Sequence, residues 1–461
     1  MRRRLGFMAL AACIAIDAEA ATSGLDETFG ENGFARFAQT GGSLSVSRPV
    51  VDASGRILIC RSGLSSDGVQ AAAYVERMTR DGEIDSAFGD DGRAAFDSSV
   101  DASCGLVVQH DGHIVVFSSR GSVSAGVPEL DTVLVRFDDD GHRDPEFGDG
   151  GAATIDFESA DNENISAIAL AADDAIVVGV PLSRNRFGVA RVTRDGAVDA
   201  TFGTGGQAIA EFPPTTLAFD SIRDVLIDDA GRISLAGSIS TDPVGRELFA
   251  VARFLDDGAV DTSFGNDGKV TLEISDRTAT CHAALLAGEG RLLLIGNIAT
   301  SWPPNTDVAS VDIGVARLLE GGTIDASFGD GGVSVIPVDL VVNGYDVALD
   351  GVPASDGGAF LVGDASTATQ SDGLVLKLDR NGRRDALFGA NGALTFDAIP
   401  GEAASMTLIG VARQGAKLIV TGTLRGGSAF ALRISGGNTS RGHSRHRRPA
   451  GLLRDAAESL R

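Results

Sequence analysis

The stretch GEIDSAFGDDG (Gly82–Gly92) is followed by the apolar run RAAFD and preceded by the strand-like VERM. It reads as a tight, glycine-rich loop between two strands. The chain writes the same loop six more times, with phenylalanines at Phe29, Phe88, Phe147, Phe202, Phe264, Phe328 and Phe388 and spacings of 59, 59, 55, 62, 64 and 60 residues. An aspartate stands three residues before each: Asp26, Asp85, Asp144, Asp199, Asp261, Asp325 and Asp385. A glycine follows each: Gly30, Gly89, Gly148, Gly203, Gly265, Gly329 and Gly389. Self-similarity at such a period means stacked or radial units.

The residue types suit a structural loop. An aspartate carboxylate accepts hydrogen bonds from backbone N–H groups two or three residues ahead, as in an Asx turn. The phenylalanine is placed to plug a seam between units, and the glycines allow backbone shapes closed to other residues.

Each unit also carries four short, apolar, partly alternating runs; in the fourth they are GQAIAEF, IRDVLIDD, RISLAGS and LFAVARFL. Such runs predict strands. Asp-Gly and Ser-Gly pairs join the second run to the third and favour hairpins. The joins between runs three and four are polar and vary in length, as surface loops do. The chain opens with a motif copy, GLDETFG, that no strand precedes, and its last strands, AKLIVTGT and SAFALRIS, have no motif after them. The leading copy therefore supplies what the last unit lacks, and docking it there closes a ring with no open edge. The expected fold is all-β: a seven-bladed β-propeller of four-stranded antiparallel blades, closed by the N-terminal motif copy.

LDETFGENG, IDSAFGDDG, VDATFGTGG and IDASFGDGG resemble the delta-60 repeat, found in tandem in secreted or surface-associated bacterial proteins. The resemblance spans Gly24–Ser435 and departs where Glu320-Gly321-Gly322 replaces the usual Asp-Gly before a motif. It implies a propeller-like architecture and an extracytoplasmic location, and transfers no catalytic residue.

The ends differ from the body. Residues 1–20 combine three arginines, an apolar run and Ala18-Glu19-Ala20, the pattern of a secretory signal with an A-x-A site. Leu10-Ala11-Ala12-Cys13 also resembles a lipobox, which would place a lipid on Cys13. The apolar run is too short for a stable membrane anchor, and no other segment is long and apolar enough to span one. Residues 21–435 are expected to be the propeller, and 436–461 a basic disordered tail with six arginines. The formal net charge of −24 leaves a strongly acidic body that repels nucleic acid and anionic membrane. Without Cys13 the chain holds Cys60, Cys104 and Cys281, an odd number. Cys60 and Cys104 lie in neighbouring repeats, either bridged or simply buried.

A search for chemistry returns little. The acidic loop around Gly141 fails an EF-hand register, with Arg136 at the first ligand position and Phe147 at the last. The two residues between motif glycines are Asp90-Asp91 in one unit and Thr204-Gly205 in another, so they do not repeat as calcium ligands should. The histidines are scattered, and no zinc spacing or nucleophile elbow occurs. Gly203, Gly205 and Ala208 mimic a dinucleotide fingerprint but lead into a strand. One basic residue per unit ends the fourth run, at Arg77, Arg136, Arg191, Arg253, Arg317, Lys377 and Arg433; it pairs with a motif aspartate, guards a strand edge, or is solvated. Trp302, the only tryptophan, sits on the longest loop beside two prolines, as a possible ligand contact.

The expectation is a monomeric, secreted or cell-surface propeller that binds or displays a protein or glycan without catalysis or cofactor. Two rivals remain: an extracellular hydrolase or lyase, which would need a polar cluster breaking the sevenfold symmetry at the channel, and a calcium-stabilised envelope protein.

Overall fold

The computed structural model describes residues 24–37, 44–64, 71–97, 104–124, 127–157, 166–182, 184–214, 221–240, 246–274, 278–299, 311–338, 340–341, 344–367, 370–397, 405–425 and 427–435. The expected signal segment, Cys13, Trp302 and the basic tail lie outside them.

The described residues form seven antiparallel sheets and no helix. Every blade except the last takes three consecutive strands from one repeat and its fourth from the residues just after the following motif. In the fourth blade the order is Ser221–Ile227, Ile233–Ser240, Glu247–Phe254 and Lys269–Leu272. The first-in-sequence strands of neighbouring blades touch one another around the ring and wall the central channel. The fourth strands form the outer edge.

Burial follows from this layering. The middle strands are covered by a blade on each side, so Ile233–Ser240 is buried at every position, a continuous run rather than an alternating one. Outer strands are covered on one face only: Ala152–Ile155 and Val333–Ile336 alternate buried with partly or fully exposed residues. The apolar side chains gather into seven clusters, and each joins two adjacent blades. The core is thus a ring of seams, not a single centre.

The ring closes as the sequence predicts. Phe34–Arg36 pairs antiparallel with Ala429–Ser435, which continues through Lys417–Leu424 to Met406–Gln414. Leu25 bridges Ile434, and the Ser435 N–H donates to the Gly24 carbonyl at 2.9 Å.

The first blade is irregular. Its channel strand is broken into Leu44–Val46 and Val50–Val51; between them the Ser47 N–H still donates to the Cys60 carbonyl, and Arg48-Pro49 leaves the ladder. Proline lacks the N–H a ladder needs. The channel strands of the fourth to seventh blades each slip register by one residue, at Arg223, His282, Leu349 and Ile409. These breaks shape the channel.

Candidate functional site

Two regions compete for the role of site: the motif rim and the channel.

At the rim, hairpin turns and motif loops share one end of the ring. Each motif aspartate splits its carboxylate between two tasks. One oxygen accepts from the N–H two residues on, as Asp199 does from Thr201 at 3.0 Å and Asp261 from Ser263 at 3.1 Å. The other accepts from the basic residue eight positions earlier: Arg136 to Asp144 at 2.7 Å, Arg191 to Asp199 at 2.7 Å, Arg253 to Asp261 at 2.8 Å, Arg317 to Asp325 at 2.8 Å. Arg433 reaches Asp26 of the leading copy at 2.6 Å. Of the three roles open to this basic residue, pairing is therefore the one observed; it sits on a third strand, whose edge is already covered. For Asp26, partial burial is outweighed by Lys417, Thr28 and Arg433, which hold the carboxyl well below its usual range. At Asp199 the Thr201 hydroxyl and then Arg191 do the same, against burial.

The same arginines reach across the seam. Arg191 donates to the Asp256 carbonyl at 2.6 Å and Arg253 to that of Glu320 at 2.5 Å, each in the next blade. Their guanidinium groups lie over the motif rings, 4.8 Å from Phe202 and 4.2 Å from Phe264. All seven motif phenylalanines are buried, none more than 2% exposed. They press on the turn of the next blade: a Cβ on Gly141, at φ +85°, would come within 2.8 Å of the Phe88 ring. The motif glycine N–H crosses too, from Gly203 to Asp257 and from Gly265 to Gly321. Loop, plug and cross-blade bonds form one fastening per seam.

The seam between the sixth and seventh blades differs. The described residues stop at Ser435, and among them no turn faces the motif. Its basic residue is Lys377, which pairs with Asp385 and Asp356 at 2.6 Å each. Phe388 packs instead edge-on to Phe360, 5.4 Å between centroids.

The channel holds the second region. Arg48, thrown out of its broken strand, crosses toward three other blades. Its guanidinium bonds to Asp224 of the fourth blade, lies 3.2 Å from Asp350 of the sixth, and donates to the His282 carbonyl of the fifth at 3.0 Å. Asp224 also accepts from the Ala284 N–H at 2.7 Å, and Asp350 from that of Val411 at 2.8 Å. At the same height the other channel strands carry Gly105, Ala167, Ala283 and Gly410. A Cβ on Gly410 would lie 2.5 Å from the Arg48 Cα, so glycine is what lets this crossing fit. Burial pushes the Asp350 carboxyl up to about 6 even with Arg48 beside it. Burial, then Arg223 and Arg48, bring His282 down to about 4, so its imidazole is neutral. The space around this group is a cavity of about 380 Å³, walled by residues of all seven blades.

Other sequence candidates resolve as follows. Cys60 and Cys104 form a disulfide joining the first blade to the second, with Cα atoms 5.9 Å apart. Cys281 is free and buried, and burial pushes its thiol up to about 12. His110 meets Asp174 of the next blade at 2.6 Å, and His113 meets Asp111 at 3.0 Å. Among the described residues no cluster of histidine, cysteine or carboxylate side chains is arranged to hold a metal ion. Sequence reasoning missed Arg48, Asp224 and Asp350.

A family described as a beta-propeller domain of unknown function (DUF5122) matches residues 172–202 and 231–264. Each matched stretch runs from a hairpin turn to a motif phenylalanine. No curated protein is significantly similar in sequence. Among solved structures, the chain is similar to YCF48 from Cyanidioschyzon merolae at 10% identity and TM-score 0.44, covering 87% of this chain and 98% of that one. It is similar to the beta-propeller domain of the Trilobed protease from Pyrococcus furiosus at 9% identity and TM-score 0.42, covering 87% and 95%. It also aligns with PorZ of Porphyromonas gingivalis at 12% identity and TM-score 0.42, covering 86% of this chain and 47% of that one.

Proposed function

We propose that this chain is a secreted or cell-surface propeller that binds a small ligand in its central channel without transforming it. The observation that supports the reading is the contrast between rim and channel. The rim contacts recur around the ring and are accounted for by holding blades together. The Arg48–Asp224–Asp350 group occurs once among the described residues, takes two carboxylates largely out of solvent, and borders a cavity in the central channel. Export is supported by the basic-then-apolar start of the chain and by the Cys60–Cys104 disulfide, which persists in oxidising compartments.

The polar group also breaks the sevenfold symmetry, which favours the hydrolase or lyase reading as the second choice. Against catalysis, both carboxylates are already committed to Arg48 and to backbone N–H groups.

Thermal unfolding of the full chain against a panel of small sugars, organic acids and amines tests the channel reading, because a ligand that binds only the folded form raises the midpoint. Ile168→Trp, which fills the cavity from its wall, should abolish any such rise. A rise that survives this substitution places the ligand elsewhere and overturns the reading.

A further inference from the structure

The charges at the channel cavity are not all committed. Arg48 is engaged by Asp224, Asp350 and the His282 carbonyl, and each of those carboxylates is also bonded to a backbone N–H. Arg223 is different. It is the extra residue where the fourth blade's channel strand slips register, and such a slip re-aims a side chain. Its counterparts in the next three blades are His282, Leu349 and Ile409, so it is the one permanently charged residue among the four. The Arg223 side chain is exposed, lines the cavity, and makes no ion pair or hydrogen bond among the described residues. Ser166 of the adjacent third blade lines the same cavity, and its hydroxyl has no partner there either. The rest of the wall near them is apolar, including Leu106, Phe117 and Ile168.

We propose that the channel cavity takes a small monocarboxylate with an apolar body, its carboxylate paired to Arg223; this rests on the channel reading above. A guanidinium presents parallel N–H donors that match the two oxygens of a carboxylate. One uncommitted guanidinium answers one negative charge. A dianion is disfavoured because Asp224 and Asp350 together outweigh Arg48 by one negative charge within the same cavity. The apolar wall takes the body of the ligand, as in most small-molecule sites.

The test uses three probes of one shape on the full chain by calorimetric titration: benzoate, phenyl phosphate and benzyl alcohol. Benzoate should bind at least tenfold more tightly than either of the others. Arg223→Gln should weaken benzoate at least tenfold and leave benzyl alcohol unchanged; the thermal midpoint without probe should stay put, since Arg223 supports no contact. Equal binding of benzoate and benzyl alcohol, or benzoate binding indifferent to Arg223→Gln, overturns the carboxylate assignment while leaving a channel ligand intact. Tighter binding of phenyl phosphate overturns it in favour of a dianion. If none of the three binds and Ile168→Trp changes no other ligand's effect, the channel reading falls with it.

Discussion

The rim and the channel are built from similar parts, arginines paired with aspartates, yet they obey different rules. At the rim the pair recurs with the repeat, linking residues eight apart in sequence everywhere except at the closure, where Arg433 meets Asp26. In the channel Arg48 and Asp224 are 176 residues apart, and among the described residues their crossing is not repeated with the period of the blades. Recurrence marks what each blade needs in order to stand beside the next. The exception marks what the ring as a whole does. Function in a repeat protein is therefore best sought where the repeat fails.

The largest expected loss is at the rim. Phe202→Ala empties a buried plug and should lower unfolding free energy by about 3–5 kcal/mol, read by denaturant titration. A loss under ~1 kcal/mol would mean that the seam is held by its backbone bonds and arginine alone.

The channel should respond to pH in a way the rim does not. Arg48→Ala leaves two buried carboxylates without their cation, at a cost of about 3 kcal/mol or more near pH 7.5. Asp350 in the folded chain already titrates at about 6, above the ordinary carboxylate value. A raised folded value means the folded state holds the proton more tightly, so stability from this group is present at low pH and lost as pH rises through 6. The gap between Arg48→Ala and the parent should therefore narrow at pH 5. An equal gap at both pH values would remove Asp350 from the account. Rim aspartates such as Asp199 are shifted down, so their contribution is present at both pH values and is lost only below the usual carboxylate range.

The smallest effect separates the six regular seams from the seventh. Arg253→Lys keeps a charge beside Asp261 but gives up the fork that also reaches Glu320, for an expected loss of about 1–2 kcal/mol. Lys377→Arg, at the seam where no turn among the described residues faces the motif, should change stability by less than about 0.5 kcal/mol. Equal responses at the two sites would show that the cross-blade carbonyl contributes nothing.

Much of the rim was legible because it is periodic. The spacing of Phe29 to Phe388 announces the blades, the unpaired GLDETFG announces the closure, and the aspartates announce their Asx turns. The channel was not legible in the same way, since nothing local links Arg48 to Asp224 or Asp350. Two signals were nonetheless present. Pro49 interrupts an otherwise strand-like run, and Asp224 and Asp350 each sit inside an apolar channel-strand segment, IRDVLI and DVALDGV. A carboxylate there must find a partner, although sequence alone could not say which. The Cys60–Cys104 bridge was likewise one of two open readings, because connectivity is fixed only by the approach of neighbouring blades.

The meeting of Gly24 and Ser435 has a consequence for how the molecule is held. The two residues are hydrogen-bonded to each other on the motif side of the ring. Whatever precedes one and follows the other thus departs from a single corner. Any tether, at either end, therefore holds the ring from its motif side.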